Sequence, residues 1–390
     1  MKLPIYLDNH STTRVDPRVV EAMLPYFTED YGNAASKQHS FGWKAKAAVD
    51  NARKQIAALV NGQPEEVIFT SGATESINLA IKGIAEAYAS KGRHVITAAT
   101  EHKAVLDVCA TLERHGFTVT RLPVDKSGLI ELDDLRRSFT ADTVLVSIMM
   151  ANNEIGTIAD VERIGALCRE HGVLFHTDAT QAVGRIPVDV RKMSIDLMSF
   201  SAHKMYGPKG VGALFIRNSS PRLKLIQQID GGGHEHGLRS GTLNVPGIVG
   251  FGFAAELTKK EMAIESLRMF ELRNKLVDGL LSELDDVQMN GHPTQRLPHN
   301  ANITFAGVEA DRLMMEMKDI AVSSGSACSS ASPEPSHVLS AIGLKREDIL
   351  SSIRFGLGRF TTIEEIEYTI GRVVETVRAA KEKLGRLQPA

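Results

Sequence analysis

The sequence has 390 residues, which favours two domains because a domain commonly spans roughly 100–200 residues. Hydrophobic residues make up 43% and charged residues 24%, a balance typical of a globular protein and not of a disordered chain. The 45 basic and 47 acidic residues leave a net charge of -2, so the overall charge does not indicate nucleic acid or an anionic membrane as the main partner.

The N-terminal residues carry no sign of export. They lack the apolar core and the small-residue cleavage site of a secretory signal. No apolar run in the sequence reaches the roughly 18 residues that cross a bilayer. We therefore expect a cytoplasmic protein that does not enter the membrane.

Short β-branched runs alternate with amphipathic stretches through the first 200 residues. Strands are predicted at residues 67–70, 94–98, 143–148, 173–177 and 196–200. Helices are predicted between them at residues 75–89, 103–115 and 160–171. This alternation indicates an α/β fold with a mostly parallel sheet, in which ligands bind beyond the carboxyl ends of the strands.

The pattern changes after Pro246 to a long helical stretch that runs through residues 254–263 to about residue 284. A second set of elements follows: strands at 301–305 and 352–356, and helices at 311–318 and 362–384. We predict a large domain over residues 15–260. A smaller α+β domain is predicted from residues 1–14 and 261–390.

The first functional signal is the segment Thr-Ser-Gly-Ala-Thr-Glu-Ser at residues 70–76, where a strand turns through glycine into a helix. Backbone N–H groups and small hydroxyls at a helix N-terminus form an anion site that suits phosphate. Alone the signal is weak, because Ser or Thr before Glu is also an ordinary capping box.

The second signal is Asp178, which follows the predicted strand at 173–177. A carboxylate there can hold the protonated pyridine nitrogen of pyridoxal phosphate (PLP), which makes the ring an electron sink. A lone aspartate at a strand end is more often a helix cap or a turn former. The assignment therefore depends on a third feature.

That feature is the segment 199–210, which leaves another strand into a turn rich in glycine and proline. Lys204 lies on this turn and can bind the cofactor aldehyde covalently, while Ser201 and His203 flank it to reach the phosphate. A single lysine in a turn is usually only solvent-exposed. Because Asp178 and Lys204 lie at the ends of successive strands, the interpretation of Lys204 as a merely solvent-exposed lysine is much less favoured.

These segments resemble the NifS/IscS type of cysteine desulfurase, a class V aminotransferase-like family of fold-type I PLP enzymes. The resemblance runs from residue 6 to about residue 362 and includes three specific motifs: Glu-His-Lys-Ala-Val at 101–105, Asn-Asn-Glu-Ile-Gly at 152–156 and Arg-Ser-Gly-Thr at 239–242. It implies a homodimer whose large domain holds PLP on a mostly parallel seven-stranded sheet.

The resemblance also implies roles for individual residues. His102 would stack on the cofactor ring and transfer protons, Gln181 would bond the phenolic oxygen, and Arg354 would hold the substrate carboxylate. Asn153 would contact cofactor and substrate, and Thr242 would reach into the partner subunit's site. The implied phosphate ligands are Ala73, Thr74, Ser201 and His203.

Cys328 is the predicted sulfur acceptor. It stands among small polar residues at 323–330, in a predicted loop of the small domain, whereas Cys109 and Cys168 fall in amphipathic helices and are predicted to pack as small hydrophobes. Three scattered cysteines form neither a disulfide framework nor a cysteine-rich zinc site. We expect L-cysteine to yield L-alanine while its sulfur becomes a persulfide on Cys328. No metal site is predicted. Cys328 would bind metal only as a ligand of an iron–sulfur cluster during transfer.

The persulfide is expected to pass to acceptor proteins that serve iron–sulfur cluster assembly, tRNA thiolation or DNA phosphorothioation, so nucleic acid is involved only indirectly. Two departures from the IscS pattern bear on this expectation. The sequence ends at residue 390 without a further hydrophobic tail, which puts delivery to the usual scaffold in doubt, and Asn-His-Ser at 9–11 replaces a different short polar segment.

Alternative functions stay open at this stage. Another PLP enzyme, such as an aminotransferase or a selenocysteine lyase, would share Asp178 and Lys204. A non-catalytic scaffold that retained the fold is a rival from a different class. The Gly-Gly-Gly-His-Glu-His segment at 231–236 lacks the spacing of a metal or nucleotide site, so a loop is favoured there.

Overall fold

A computed structural model describes residues 2–220, 222–324 and 335–385. Its strands are β1 (Ile5–Tyr6), β2 (Val67–Thr70), β3 (His94–Ala98), β4 (Thr118–Leu122), β5 (Thr143–Ser147), β6 (Leu174–Asp178), β7 (Leu197–Ser201), β8 (Gly212–Ile216), β9 (Val287–Met289), β10 (Asn300–Phe305), β11 (Ile320–Ala321) and β12 (Ser352–Gly356).

The α-helices of the described residues are α1 (Pro17–Met23), α2 (Pro25–Thr28), α3 (Ser40–Leu59), α4 (Ala73–Ala87), α5 (Lys103–Arg114), α6 (Leu132–Ser138), α7 (Val161–Glu170), α8 (Val245–Glu283), α9 (Ala310–Glu316), α10 (His337–Ala341), α11 (Arg346–Leu350) and α12 (Ile363–Gly385). Short 3-10 helices cover Pro64–Glu66, Ala202–Lys204 and Glu235–Gly237. None of the helices described is long and apolar enough to cross a membrane.

The large sheet contains seven of the described strands in the order β2-β8-β7-β6-β5-β3-β4. Neighbours from β7 through β4 pair in parallel, and only β8 runs antiparallel to both of its neighbours. The strands are buried along their whole length from β5 to β8, apart from the half-buried first residue of β6, because helices cover both faces. The predicted α/β fold with a mostly parallel sheet is therefore confirmed.

The five strands predicted in this sheet are present, displaced by no more than one residue at either end. The long helix predicted after Pro246 is present as α8 and begins at Val245, because two local features favour an N-terminus there. The Asn244 side chain accepts a hydrogen bond from Gly247 N (3.1 Å), and Pro246 occupies the first turn, where a missing N–H costs nothing.

Helix α8 contributes to two separate hydrophobic cores. Its N-terminal half packs in the core of the large sheet through residues such as Ile248 and Phe251. Its C-terminal half packs through Leu276 and Leu280 against β10, β12 and α12. The N-terminal strand β1 joins this second core through Ile5, so the chain's start and end share one packing unit. The exact domain boundaries at residues 14 and 260 stay a prediction.

The packing of α8 against α3 requires a glycine on α8. A Cβ added at Gly252 would lie 2.5 Å from both the Cα and the Cβ of Ala52. A contact this short cannot be relieved by rotating a side chain, because one of the two atoms belongs to the backbone. The two helices therefore approach as closely as they do only because residue 252 has no side chain.

We predict that Gly252→Ala lowers the free energy of unfolding by about 1–3 kcal/mol, the usual cost of overpacking a core. Gly371→Ala on exposed α12 is the matched control, because nothing lies within 4 Å of a Cβ added there. That control should be neutral or stabilising by up to about 1 kcal/mol. Urea unfolding of both variants measures the difference, and equal effects would contradict this packing account.

Candidate active site

The carboxyl ends of five parallel strands of the large sheet surround a cavity of about 500 Å³. The segments that follow β2, β3, β5, β6 and β7 line it, together with residues 10–12 and Arg354 from β12. Ten of the twelve site residues predicted from the sequence line this cavity: Ala73, Thr74, His102, Asn153, Asp178, Gln181, Ser201, His203, Lys204 and Arg354.

The two remaining residues differ in position. Thr242 is exposed at the surface and does not line the cavity. Cys328 lies outside the described residues. The described thiols of Cys109 and Cys168 are buried in helices, and burial raises the pKa of Cys109 to about 12 and also raises that of Cys168. Neither thiol is therefore a competing nucleophile near neutral pH.

The N-terminus of α4 offers backbone donors to the cavity. Its first N–H groups have no partner within the helix, and Gly72 supplies no side-chain cap. Strand β8 passes directly beneath this turn, because a Cβ at Gly212 would lie 2.7 Å from Gly72 Cα. The negative charge of Glu75 repels a bound anion less than an unpaired carboxylate would. Its carboxylate pairs with Arg239 (2.8 Å) and accepts a hydrogen bond from Ser71 N (2.8 Å).

Asp178 stands at the end of β6 and is only 5% exposed. One carboxylate oxygen accepts a hydrogen bond from Thr180 N (2.9 Å). Behind it, the carboxyl of Glu101 accepts from Met149 N (2.7 Å), and burial together with nearby Asp178 raises the pKa of Glu101 well above its usual value. Burial thus favours the neutral form of Glu101, whereas the Asp178 carboxyl lines the cavity.

Lys204 extends from the turn after β7 towards the N-terminal segment. Its Nζ donates to the carbonyl oxygens of Ser11 (2.6 Å) and His10. Arg185 holds the Lys204 carbonyl through Nη2 (2.8 Å) and donates through Nη1 to the hydroxyl of Tyr206 (2.6 Å). The backbone of Tyr206 is left-handed, with φ of 63°, so these contacts stabilise a turn that a non-glycine residue rarely adopts.

His102 is the N-cap of helix α5, and this position fixes which nitrogen of the neutral ring carries the proton. Its Nδ1 accepts a hydrogen bond from Ala104 N (3.1 Å), so the proton of the neutral ring must lie on Nε2. The ring lines the cavity, and it is therefore suited to exchange a proton through Nε2.

Arg354 forms part of the cavity wall with a side chain that is only 2% exposed. It pairs with Asp8 (2.9 Å) and also donates to Ser11 Oγ (2.9 Å) and to the Asn153 carbonyl (2.9 Å). These contacts use three of the five N–H groups of the guanidinium. Among the described residues its Nε has no partner, so the group retains capacity for a further anion.

Sequence reasoning missed the segment 8–13 as part of the site. Thr13 N donates to the His203 carbonyl (3.0 Å), and the Thr12 hydroxyl lies 3.1 Å from His203 Nδ1. His10 lies 3.0 Å from Gln181 Oε1 through its Nδ1. A polar run directly after a short apolar strand was the available signal, but only the folded chain places it across the strand ends.

Several buried histidines near the cavity are neutral. Burial lowers the pKa of His176 to about 3, and burial together with Lys204 and Lys209 lowers the pKa of His203 to about 4. The pKa of His10 also lies well below its usual value, because the ring is buried and close to Arg354. These three rings therefore resist protonation as the pH falls from neutral to mildly acidic.

We predict that this burial makes the chain less stable as the pH falls below about 6.5, the unfolded-state pKa of histidine. Below this pH the histidine rings are protonated in the unfolded chain but not in the folded chain. Each such ring therefore lowers the free energy of unfolding by about 1.36 kcal/mol per pH unit. His176→Asn should reduce the slope of unfolding free energy against pH between 6 and 4.5 by about one ring's share. An unchanged slope would show that His176 takes up a proton in the folded chain.

Comparisons with known proteins agree with this site. The class V aminotransferase family model matches residues 5–369. The cysteine desulfurase IscS of Anaeromyxobacter sp. (strain Fw109-5) is 58% identical over 382 residues, which covers 98% of this chain and 94% of that protein. Two solved structures are also similar: a NifS-like protein (TM-score 0.90, 38% identity, covering 97% of this chain and 100% of that one) and SspA in complex with cysteine (TM-score 0.81, 36%, covering 92% and 100%).

The fold and the family model show that the chain belongs to the class V aminotransferases. Within that class it belongs to the IscS-type cysteine desulfurases, as its full-length relatives show. The family recognised from the sequence is confirmed, and with it the prediction of a PLP-dependent cysteine desulfurase.

The donor set of the cavity fits PLP. The uncapped N-terminus of α4 and the neighbouring Ser201 and His203 suit the phosphate, and buried Asp178 suits the ring nitrogen. Lys204 supplies an amine that lines the same cavity, as does Lys209. The assignment of each residue to its part of the cofactor stays a prediction.

Proposed function

We propose that L-cysteine is converted to L-alanine in this cavity and that its sulfur is transferred to Cys328. The convergence of Asp178, Lys204 and Arg354 on one cavity carries the proposal. Asp178 and Lys204 lie at the ends of large-sheet strands, whereas Arg354 comes from β12, which packs in the second core. An acid for a ring nitrogen, an amine for an aldehyde and a cation for a carboxylate are the groups that an amino-acid enzyme of this kind needs.

Bound PLP supplies an electron-withdrawing ring conjugated to the substrate nitrogen, which acidifies the substrate Cα–H. Asp178 would hold the ring nitrogen protonated through a charge-assisted hydrogen bond worth about 1.5–3 kcal/mol. Gln181 and Asn153, which follow β6 and β5, would contact the cofactor. Ala73, Thr74, Ser201 and His203 would hold the phosphate and so fix the orientation of the ring.

Arg354 binds the substrate carboxylate through the N–H groups that Asp8, Ser11 and Asn153 leave unoccupied. This contact orients the substrate Cα–H towards Lys204 and His102. Lys204 would accept the Cα proton through its amine, and His102 would exchange protons through Nε2.

Sulfur transfer then requires a thiolate that the described residues lining the cavity do not supply. The Cys328 thiolate attacks the substrate sulfur, so an S–S bond forms and the Cβ–S bond breaks. The electron pair of the broken bond returns to Cβ, where a proton completes the methyl group of alanine. Cys328 is left as a persulfide, and an unshifted thiol already provides a few per cent thiolate at pH 7.

The described residues on either side of Cys328 support its assignment. Ser323 pairs with Arg354 through backbone hydrogen bonds, and Ser336 donates to Glu154 Oε2 (2.5 Å). His337 donates to the Glu101 carbonyl (2.9 Å), next to His102. Cys328 follows Ser324 by four residues, a stretch whose maximum span is about 14 Å. Both flanks of the Cys328 segment are thus attached beside the cavity.

A homodimer is part of the proposal. Thr242 has no contact with the cavity of its own chain, so a role at the site requires a partner subunit. Large apolar side chains are exposed around the start of α3, which a monomer rarely tolerates in a cluster: Leu24, Phe27, Tyr31, Phe41 and Trp43. A second copy that covers this face would bury it and place Thr242 near the other cavity.

We further propose that the persulfide passes to acceptor proteins of iron–sulfur cluster assembly, tRNA thiolation or DNA phosphorothioation. Any of these acceptors would meet the Cys328 segment, and L-cysteine is the small-molecule substrate. Persulfide transfer needs a free thiol, which a reducing compartment preserves. This chemistry supports the cytoplasm as the place of action.

We predict that Lys204→Ala removes covalently bound PLP, because Lys204 is the amine proposed to bind the cofactor aldehyde. Lys209→Ala is the matched control, since Lys209 lines the same cavity five residues later. Borohydride reduction followed by peptide mass mapping measures attachment, and alanine release measures activity. The account predicts that only Lys204→Ala loses both, whereas PLP attached to Lys209 would overturn the assignment.

For the sulfur acceptor, we predict that Cys328→Ala binds L-cysteine and changes the visible spectrum but forms no protein persulfide. Cys109→Ala and Cys168→Ala should still form it, because both thiols are buried and have a raised pKa. Mass spectrometry of intact protein after alkylation detects the added sulfur. A persulfide that persists in Cys328→Ala would reassign the acceptor.

A further inference from the structure

His10 is a buried residue of the cavity wall to which the family resemblance assigns no role. It lies in the Asn-His-Ser segment that departs from the IscS pattern, and its side chain is only 1% exposed. Each ring nitrogen has a partner: Nδ1 lies 3.0 Å from Gln181 Oε1, and Nε2 lies 3.1 Å from Asn300 Nδ2. A row of hydrogen bonds therefore leads from the interior to Gln181.

The direction of this row is fixed at its inner end by Arg296. A guanidinium only donates, so Asn300 Oδ1 must accept the bond from Arg296 Nη2 (2.9 Å). Asn300 Nδ2 is then a donor, and it donates both to the Glu154 carbonyl (3.1 Å) and to His10 Nε2. If the Asn300 amide were flipped, its Nδ2 would face the Arg296 donor and its Oδ1 would face the Glu154 carbonyl oxygen. Neither hydrogen bond could then form.

Since His10 Nε2 accepts, the neutral ring carries its proton on Nδ1 and donates it to Gln181 Oε1. The other atom of the Gln181 amide, Nε2, donates one hydrogen to the His10 carbonyl (3.0 Å). Its second hydrogen remains for the cavity that Gln181 lines. The orientation of the Gln181 amide thus follows from Arg296, through two intervening side chains.

We propose that His10 is a positioning residue that holds the Gln181 amide with its N–H, and not its carbonyl, towards the phenolic oxygen of the cofactor. This inference rests on the proposed function, in which Gln181 faces that oxygen. With its N–H directed inward, Gln181 stabilises the deprotonated phenolic oxygen. With its carbonyl directed inward, Gln181 would repel the deprotonated phenolic oxygen.

The surroundings of His10 keep its ring neutral, as the relay requires. Its ring stacks on His299 with the ring centroids 4.3 Å apart, and the charged groups that act on it are the cations Arg354, Lys204 and Arg185. Burial and these cations hold the pKa of His10 well below its usual value. A second ring proton, which would break the bond from Asn300, is therefore disfavoured across the working pH range.

The test compares holoenzyme variants by the pH midpoint at which the visible band of the bound cofactor changes. His10→Phe keeps an aromatic ring but removes the donor to Gln181. We expect the midpoint to rise by roughly one to two pH units, the effect of losing one hydrogen bond to a charged oxygen. His299→Phe is the control: it replaces the stacked neighbouring imidazole, which is outside the relay, and should leave the midpoint unchanged.

A double-mutant cycle separates positioning from packing. In a Gln181→Met background, which lacks the amide, His10→Phe should cause no further shift, because His10 acts only through Gln181. An additive shift, no shift from His10→Phe alone, or an equal shift from His299→Phe would each overturn the proposal. If wild-type protein itself shows neither the visible band nor alanine formation, the proposed function has failed instead.

A second measurement does not depend on how the variants fold. Nitrogen NMR of unsubstituted holoenzyme with labelled histidine reports which ring nitrogen of His10 carries the proton. The relay requires a neutral ring protonated at Nδ1. A ring protonated at Nε2 or at both nitrogens would contradict it even if every variant were unstable.

Discussion

The ion pair between Asp8 and Arg354, 2.9 Å long and almost fully buried on the arginine side, ties the N-terminal segment to the second core. From this anchor the chain crosses the ends of β6 and β7 before it enters α1. The backbone of residue 13 bonds to His203, and the carbonyls of residues 10 and 11 accept from Lys204. Lys204 and Arg354 are therefore both held in place by contacts with the same six residues, 8–13.

The charges of the cavity follow from this arrangement. Arg354, Lys204, Lys209 and Asp178 all line the cavity, whereas burial lowers the pKa of His10 and His203. Burial together with nearby Asp178 raises the pKa of Glu101. In the proposed function the basic side chains and backbone donors hold a phosphate and a carboxylate, and Asp178 faces the cationic ring nitrogen. PLP and an amino acid match that pattern of charge.

Much of this could be predicted from the sequence. The strands that carry Asp178 and Lys204 are short apolar runs bounded by turn residues, and those local signals placed them within one residue. The segment 8–13 could not be placed in the site, because its contacts join residues more than 170 positions apart. Gly252 shows the same limit: its need for a hydrogen side chain exists only where α8 meets Ala52.

Product identification from L-cysteine tests the central claim most directly. Wild-type protein with PLP and a thiol reductant should release alanine and sulfide in equal amounts, because the Cβ–S bond is broken while the amino group is retained. Pyruvate and ammonia in place of alanine would show elimination from the same cofactor site. That result would leave the fold and PLP in place but contradict sulfur transfer as the reaction of this cavity.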